Sequence, residues 1–344
     1  MDGMEFIRHL GEAGARVSLI LASALDRKLI ASIATMAEAY GMTLLGVAEK
    51  PLTKTKLDAL LRLHWGIDKH APYVPASVVE FGIDEIAAGL RNDEFAPWFQ
   101  PKVEIATRRV RGVEALARWH HPQRGLVSPF AFVPVLEEKN QMDDLTWLIL
   151  RKTANALTRW QAAGFDGTVA VNLSIKSLSS PDLCERVSRI VDEQRLDPRC
   201  FMLEVTESAA TSDLARVLEN LARLRVRGFG ISLDDFGTGY SSMQQLSRVA
   251  FTELKIDRTF VANAAREESA RIILSSSLDI ARRLGLTAVA EGVETQAEWD
   301  LLSKLGCELA QGYWIARPME AETLLGWIAD WEQGVDSSSR RSHR

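Results

Sequence analysis

Eight short β-rich runs alternate with helical patterns over most of this chain, and that repetition constrains the fold more than any single motif. The runs are Trp98–Ile105, Val110–Ala117, Thr168–Ser174, Phe201–Val205, Gly230–Asp234, Thr252–Ile256, Thr287–Glu291 and Glu308–Tyr313. Strand and helix alternating over about 250 residues predict an α/β fold of the (β/α)8, TIM-like barrel type. The helices carry their own punctuation. Ser180-Pro181 reads as a cap and first-turn proline ahead of "DLCERVSRIVDEQ", and Thr295 with Glu298 reads as a capping box that opens a helix ending at Gly306. Leu214, Val217, Leu218, Leu221 and Leu224 share one face of a helix that stops at Gly228, which marks them as core.

Every predicted strand ends with or contains a polar residue that its apolar neighbours do not require. In order these are Gln100, Glu114, Asn172, Glu204, the Asp234-Asp235 pair, Lys255, Glu291 and Gln311. Taken singly, each has an ordinary explanation: Glu114 could face solvent on an edge strand, and Lys255 could extend its stem to water. Repetition at every strand favours convergence, because the C-terminal ends of barrel strands meet at one rim. Glu114, Glu204, Asp234, Asp235 and Glu291 against Lys255 leave four negative charges in a pocket of low dielectric, a sum that two divalent cations would balance. All-oxygen ligands without cysteine or clustered histidine favour Mg²⁺ or Mn²⁺ over zinc. Adjacent Asp234 and Asp235 suit a two-cation site, where one carboxylate bridges ions roughly 3.5–4 Å apart.

Composition excludes several other classes. With 344 residues, 47% hydrophobic, 25% charged and a formal net charge of −5, the chain has the make-up of an ordinary globular protein rather than a binder of nucleic-acid polymers. Val17 to Leu25 is too short to span a membrane, and no signal-peptide pattern opens the chain, so a cytoplasmic protein without a membrane partner is expected. Cys184, Cys200 and Cys307 are odd in number and widely spaced, which argues against a disulfide framework or a zinc site.

Together, "WFQP", "EALARW" at Glu114–Trp119, "NLS" at Asn172, "EVTES" at Glu204–Ser208, "DDFGTGYSS", "LKID" at Leu254–Asp257, "AEGVE" at Ala290–Glu294 and "QGY" at Gln311 resemble the bacterial EAL-domain cyclic di-GMP phosphodiesterases, from about Ile83 to Trp331. The resemblance implies a barrel whose first strand runs antiparallel to the rest. It implies two Mg²⁺ or Mn²⁺ ions on Glu114, Asn172, Glu204, Asp234, Asp235 and Glu291, with Lys255 positioning water and Gln311 in support. It places Gln100, Leu116, Arg118 and Asp257 against the substrate, and Glu207 and Glu294 beneath a "DDFGTGYSS" loop that couples the site to homodimerisation. The activity implied is conversion of cyclic di-GMP to linear pGpG; a catalytically silent receptor for that nucleotide, or an interaction module, is the alternative. The hairpin "EIATRRVRG" lacks the glycine common in family members, which leaves its turn geometry open.

Residues 1–63 resemble the second half of a response-regulator receiver domain, an incomplete α/β segment. "VSLILAS" ends at Ser23, which matches the switch hydroxyl, and Lys50-Pro51 matches the phosphate-contacting lysine. The phosphoacceptor half has no counterpart in the sequence, so the expectation is a truncated or mis-assigned start, with a histidine-kinase pathway implied only for a full receiver. Residues 64–80, with two prolines and little periodicity, read as a linker; 81–333 as the barrel; and 334–344, rich in Ser and Arg, as a disordered tail.

Overall fold

The computed structural model describes residues 3–12, 17–23, 33, 36–37, 40–49, 81–206, 214–237 and 246–341. The chain divides into two compact units, Met1–Val78 and Val79–Arg344. In the first, a helix spans Gly3–Glu12, and strands β1 (Ser18–Ser23) and β2 (Thr43–Glu49) pair in parallel, with an irregularity between Leu19 and Ile20. Ile7, Ile33, Ala37 and Met42 form its small buried cluster, with Leu10, Val17, Leu19 and Met36 packed against it. Ser23 closes β1; Lys50 and the whole 64–80 linker lie outside the described residues.

The second unit is a closed barrel of eight strands. They are β3 (Phe95–Glu104), β4 (Val110–His121), β6 (Thr168–Asn172), β7 (Phe201–Thr206), β8 (Gly230–Phe236), β9 (Glu253–Ile256), β10 (Thr287–Ala290) and β11 (Leu309–Ala310). A short β5 (Gly125–Val127) pairs antiparallel with the end of β4. β3 is antiparallel to both its neighbours, β11 and β4, and closes the circle. Its N-terminal half therefore lies at the rim where the other strands end, and its C-terminal half descends into the barrel. Phe95, Phe99 and Val103, fully buried, belong to the core that joins strands to helices, whereas Gln100 and Lys102 occupy the alternate face.

All eight predicted runs form strands, with shifted ends. β4 continues four residues past Ala117, because the hairpin with β3 pairs as far as Phe95 with Trp119. The glycine-less turn between β3 and β4 is made by Arg108 in a left-handed conformation, φ 58, with its carbonyl accepting from Trp331 Nε1 at 2.7 Å. The helix after Pro181 begins later than its sequence suggests, at Leu183 with Asp182 as its cap. The Ser180 hydroxyl donates to the Asp182 side chain, and Asn220 Nδ2 donates to the Ser180 and Leu178 carbonyls at 2.7 and 2.9 Å, which holds this segment outside the helix.

The C-terminal tail is a correction. A helix spans Ala321–Arg341, running through the segment after Gly334 for which disorder was expected. Leu324 is buried and Leu325, Trp327, Ile328 and Trp331 pack on the core, so the helix is nucleated by tertiary contact, and extending it costs far less than starting it. No helix among the described residues is long and apolar enough to cross a membrane.

The capping box at Thr295 is present as read: its side chain accepts from the Glu298 N–H, and Glu298 accepts from the Thr295 N–H at 3.0 Å. Thr295→Ala should lower stability by about 1 kcal/mol in urea unfolding, while Thr295→Ser should restore most of it.

Candidate active site

Because side chains alternate along each strand, one set from every strand points into the barrel. Among that set Lys255 is 1% exposed and Glu204 is fully buried, so Lys255 does not reach solvent. Its ammonium lies 2.7 Å from Glu291 Oε1, 3.1 Å from Glu204 Oε2, 3.1 Å from Asp234 Oδ1 and 3.4 Å from Glu114 Oε2. Glu114 is oriented from both sides: Asn172 Nδ2 donates to its Oε1 at 3.1 Å, and Gln311 Nε2 donates to its Oε2 at 2.7 Å. Gln311 also donates to Gln100 Oε1 at 3.1 Å, and Gln100 Nε2 donates to the Ala316 carbonyl at 3.0 Å.

Neighbouring residues on a regular strand face opposite ways, so Asp234 and Asp235 need a break in β8 to share a pocket. The break is present. Asp235 has φ 55, a left-handed conformation that aspartate tolerates better than most residues, and its N–H donates to Asp234 Oδ1 at 3.0 Å. The β8–β9 register shifts between Leu233 and Phe236, as at a bulge. In consequence one carboxylate oxygen each from Asp234, Asp235 and Glu291 lie within 4.8 Å of one another. A close approach supports Glu291 as well: a Cβ at Gly312 would collide with the Val293 backbone, which donates to the Gln311 carbonyl at 3.0 Å.

The remaining predicted residues are placed less centrally. Leu116 and Arg118 alternate with Glu114 along β4, on its rim side, and register with Trp98 and Ala96 of β3. The Arg118 guanidinium lies over the Trp98 ring at 5.9 Å and donates to the Ala117 carbonyl. Asp257 caps the next helix, accepting from the Thr259 N–H at 2.9 Å. Glu294 is exposed, and its backbone N–H donates to Glu298 Oε2 at 2.7 Å. Glu207 and the loop residues 238–242 lie outside the described residues.

Two interior residues escape a reading of strand ends. Lys102 and Glu253, 2% and 3% exposed, sit below the carboxylates, with Lys102 Nζ 2.8 Å from Glu253 Oε1 and 3.1 Å from Glu204 Oε1. The signal that could have found them is period-two spacing: Lys102 follows Gln100 by two residues, and Glu253 precedes Lys255 by two.

Crowded like charges shape the proton affinities. Burial raises the pKa of Glu291, Asp234 and Glu114 add to this, Lys255 opposes it, and the result is about 8. Burial and then Glu114 push Glu204 well up, and burial and then Asp234 raise Asp235. Glu114 departs in the other direction: burial would raise it, but Lys255, Lys102 and Gln311 hold it down at about 2. For Lys255, burial favours the neutral amine, and the surrounding carboxylates more than reverse this, so it remains an ammonium.

A family description, EAL domain, matches residues 83–318. The chain belongs to the EAL domain family. RocR of Pseudomonas aeruginosa, a cyclic di-GMP phosphodiesterase, is 36% identical over 330 residues, covering 96% of this chain and 84% of RocR. MucR of the same organism, a bifunctional diguanylate cyclase/cyclic di-GMP phosphodiesterase, is 38% identical over 248 residues, and the match covers only 36% of that longer protein. The structure of the MucR phosphodiesterase in complex with c-di-GMP superposes with TM-score 0.67 at 38% identity, covering 70% of this chain and 98% of that one.

The donor set of this EAL domain fits hard divalent cations: carboxylates outnumber the ammonium groups that touch them, and burial beside like charges raises the pKa of Glu291, Glu204 and Asp235. A proton occupies Glu291 below about 8, so it competes with a cation for the same oxygens. Mn²⁺ affinity should therefore fall as pH is lowered from about 8.5 to about 6.5, with protons released on binding, as calorimetry in buffers of different ionisation enthalpy would read. Asp235→Val should cost roughly 1–2 kcal/mol in unfolding experiments through strain at its left-handed backbone, whereas Asp235→Asn should be tolerated.

Proposed function

We propose that this EAL domain hydrolyses cyclic di-GMP to linear pGpG. The observation that carries the reading is the cluster of Glu114, Glu204, Asp234 and Glu291 around Lys255 inside a barrel of this family. Its support is the 36% identity to RocR, a cyclic di-GMP phosphodiesterase, over nearly the whole chain. Glu114, Asn172, Glu204, Asp234, Asp235 and Glu291 would hold two divalent cations, Mg²⁺ or Mn²⁺. When bound, such ions supply Lewis-acid activation of a phosphodiester and of the water that attacks it.

The chain's own residues do the rest. Arg118, on the rim side of Glu114, can clamp a non-bridging phosphate oxygen through its planar fork. The Lys255 ammonium can orient the attacking water and offset negative charge as the phosphorus becomes five-coordinate. Gln311 and Asn172 lock Glu114 in one rotamer, so the reacting groups need not reorganise. Water adds to phosphorus in line, the ribose 3′-oxygen leaves with a proton, and one ring bond of the substrate is opened. Gln100 and Leu116 would contact the substrate beside Arg118, whose guanidinium lies over the Trp98 ring. We also take the enzyme to be cytoplasmic and homodimeric, with a receiver-like first unit.

Purified protein incubated with cyclic di-GMP and Mg²⁺ or Mn²⁺ should yield pGpG on chromatography. Glu114→Gln and Lys255→Met should each lower kcat by at least about 10²-fold. If the wild type binds the nucleotide and leaves it intact with either ion, the chain is a receptor.

A further inference from the structure

We propose that Lys102 is a positioning residue: paired with Glu253 on the floor of the barrel, it anchors Glu204 and thereby sets how tightly the site holds its divalent cations. The inference rests on the two-cation reading above.

The geometry follows from the reversed first strand. Moving forward along β3 from Gln100 to Lys102 descends into the barrel, while moving forward along β9 from Glu253 to Lys255 ascends toward its mouth. Lys102 and Glu253 consequently meet in a layer beneath the carboxylate cluster. β3 and β9 are not neighbours in the sheet, because β11 and β10 lie between them, so the pair crosses the barrel interior.

Glu204 is shared between the two layers. Its Oε1 is 3.1 Å from Lys102 Nζ below, and its Oε2 is 3.1 Å from Lys255 Nζ above. Each carboxylate oxygen thus has one ammonium, and the side chain cannot turn without losing one of them. This fixes Oε2 toward the cluster of Asp234 and Glu291 that also surrounds Lys255.

Glu253 has a separate task. A cation placed 3.1 Å from Glu204 would reduce the negative surplus on which divalent cations depend, but Glu253, at 2.8 Å, balances it. The pair therefore adds orientation without changing the net charge of the interior. It also gives Lys102 a carboxylate of its own besides Glu204. A buried ion pair is a poor source of stability compared with apolar packing, so fold stability alone does not account for it.

The test measures Mn²⁺ binding by calorimetry for the full chain, together with the Mn²⁺ dependence of kcat. The charge-balanced double variant Lys102→Met/Glu253→Gln removes the anchor without altering net charge. Its Mn²⁺ Kd should rise by about tenfold or more, and kcat should fall at limiting Mn²⁺ but recover substantially at saturating Mn²⁺, with KM for cyclic di-GMP little changed. Glu253→Gln alone leaves Lys102 without its counter-charge and should also weaken Mn²⁺ binding; it keeps the proposal testable should the double variant fail to fold. A lowered thermal midpoint with Mn²⁺ Kd within about twofold of wild type would overturn the proposal and make the pair purely structural. A wild type that binds no Mn²⁺ would instead overturn the two-cation reading.

Discussion

The constraint on which the rest of this structure depends is the placement, among the described residues, of six clustered carboxylates against two ammonium groups in one closed barrel. Glu114, Glu204, Asp234, Asp235, Glu253 and Glu291 face Lys102 and Lys255, either directly or through one another. An isolated ionised carboxylate in such an interior is prohibitively costly, so each must be paired, protonated or bound to a cation. Lys255 meets part of the demand by touching four carboxylates at once, and burial still pushes the Glu291 carboxyl up to about 8. A surplus of this kind is poor for stability and well suited to chemistry on a phosphodiester.

Particular backbone features bring these charges into one pocket. The left-handed Asp235 and the bulge beside it allow consecutive aspartates to share a pocket. The bare Cα of Gly312 lets the strand after Gln311 approach Val293, next to Glu291. Amides rather than charges finish the network: Gln311, Gln100 and Asn172 satisfy carboxylate and carbonyl oxygens without changing the count of ions.

Much of this was legible because a buried strand does not ordinarily carry an acid, an amide or a lysine, so nine such residues spread over eight strands in barrel order pointed to one rim. Lys102 and Glu253 were not legible by the same logic, since both lie below the strand ends. Lys102 shares the inward face of Gln100 by period-two spacing, and it lies beneath the site because β3 is reversed. Local capping was read correctly at Thr295, where the signal lies within four residues, and misread at Ser180, where Asn220 intervenes from 40 residues away. Asp257 shows the ambiguity of a polar residue after a strand: its carboxylate accepts from the first turn of the following helix. The tail misled because Ser and Arg suggest solvation, while the packed tryptophans that nucleate its helix precede it.

We propose that a pair of divalent cations completes this surplus of carboxylates. Anomalous diffraction from crystals soaked in Mn²⁺ tests it most directly. Two peaks are expected among Glu114, Asn172, Glu204, Asp234, Asp235 and Glu291. No peak among these residues, or a lone ion held elsewhere on the barrel, would contradict it.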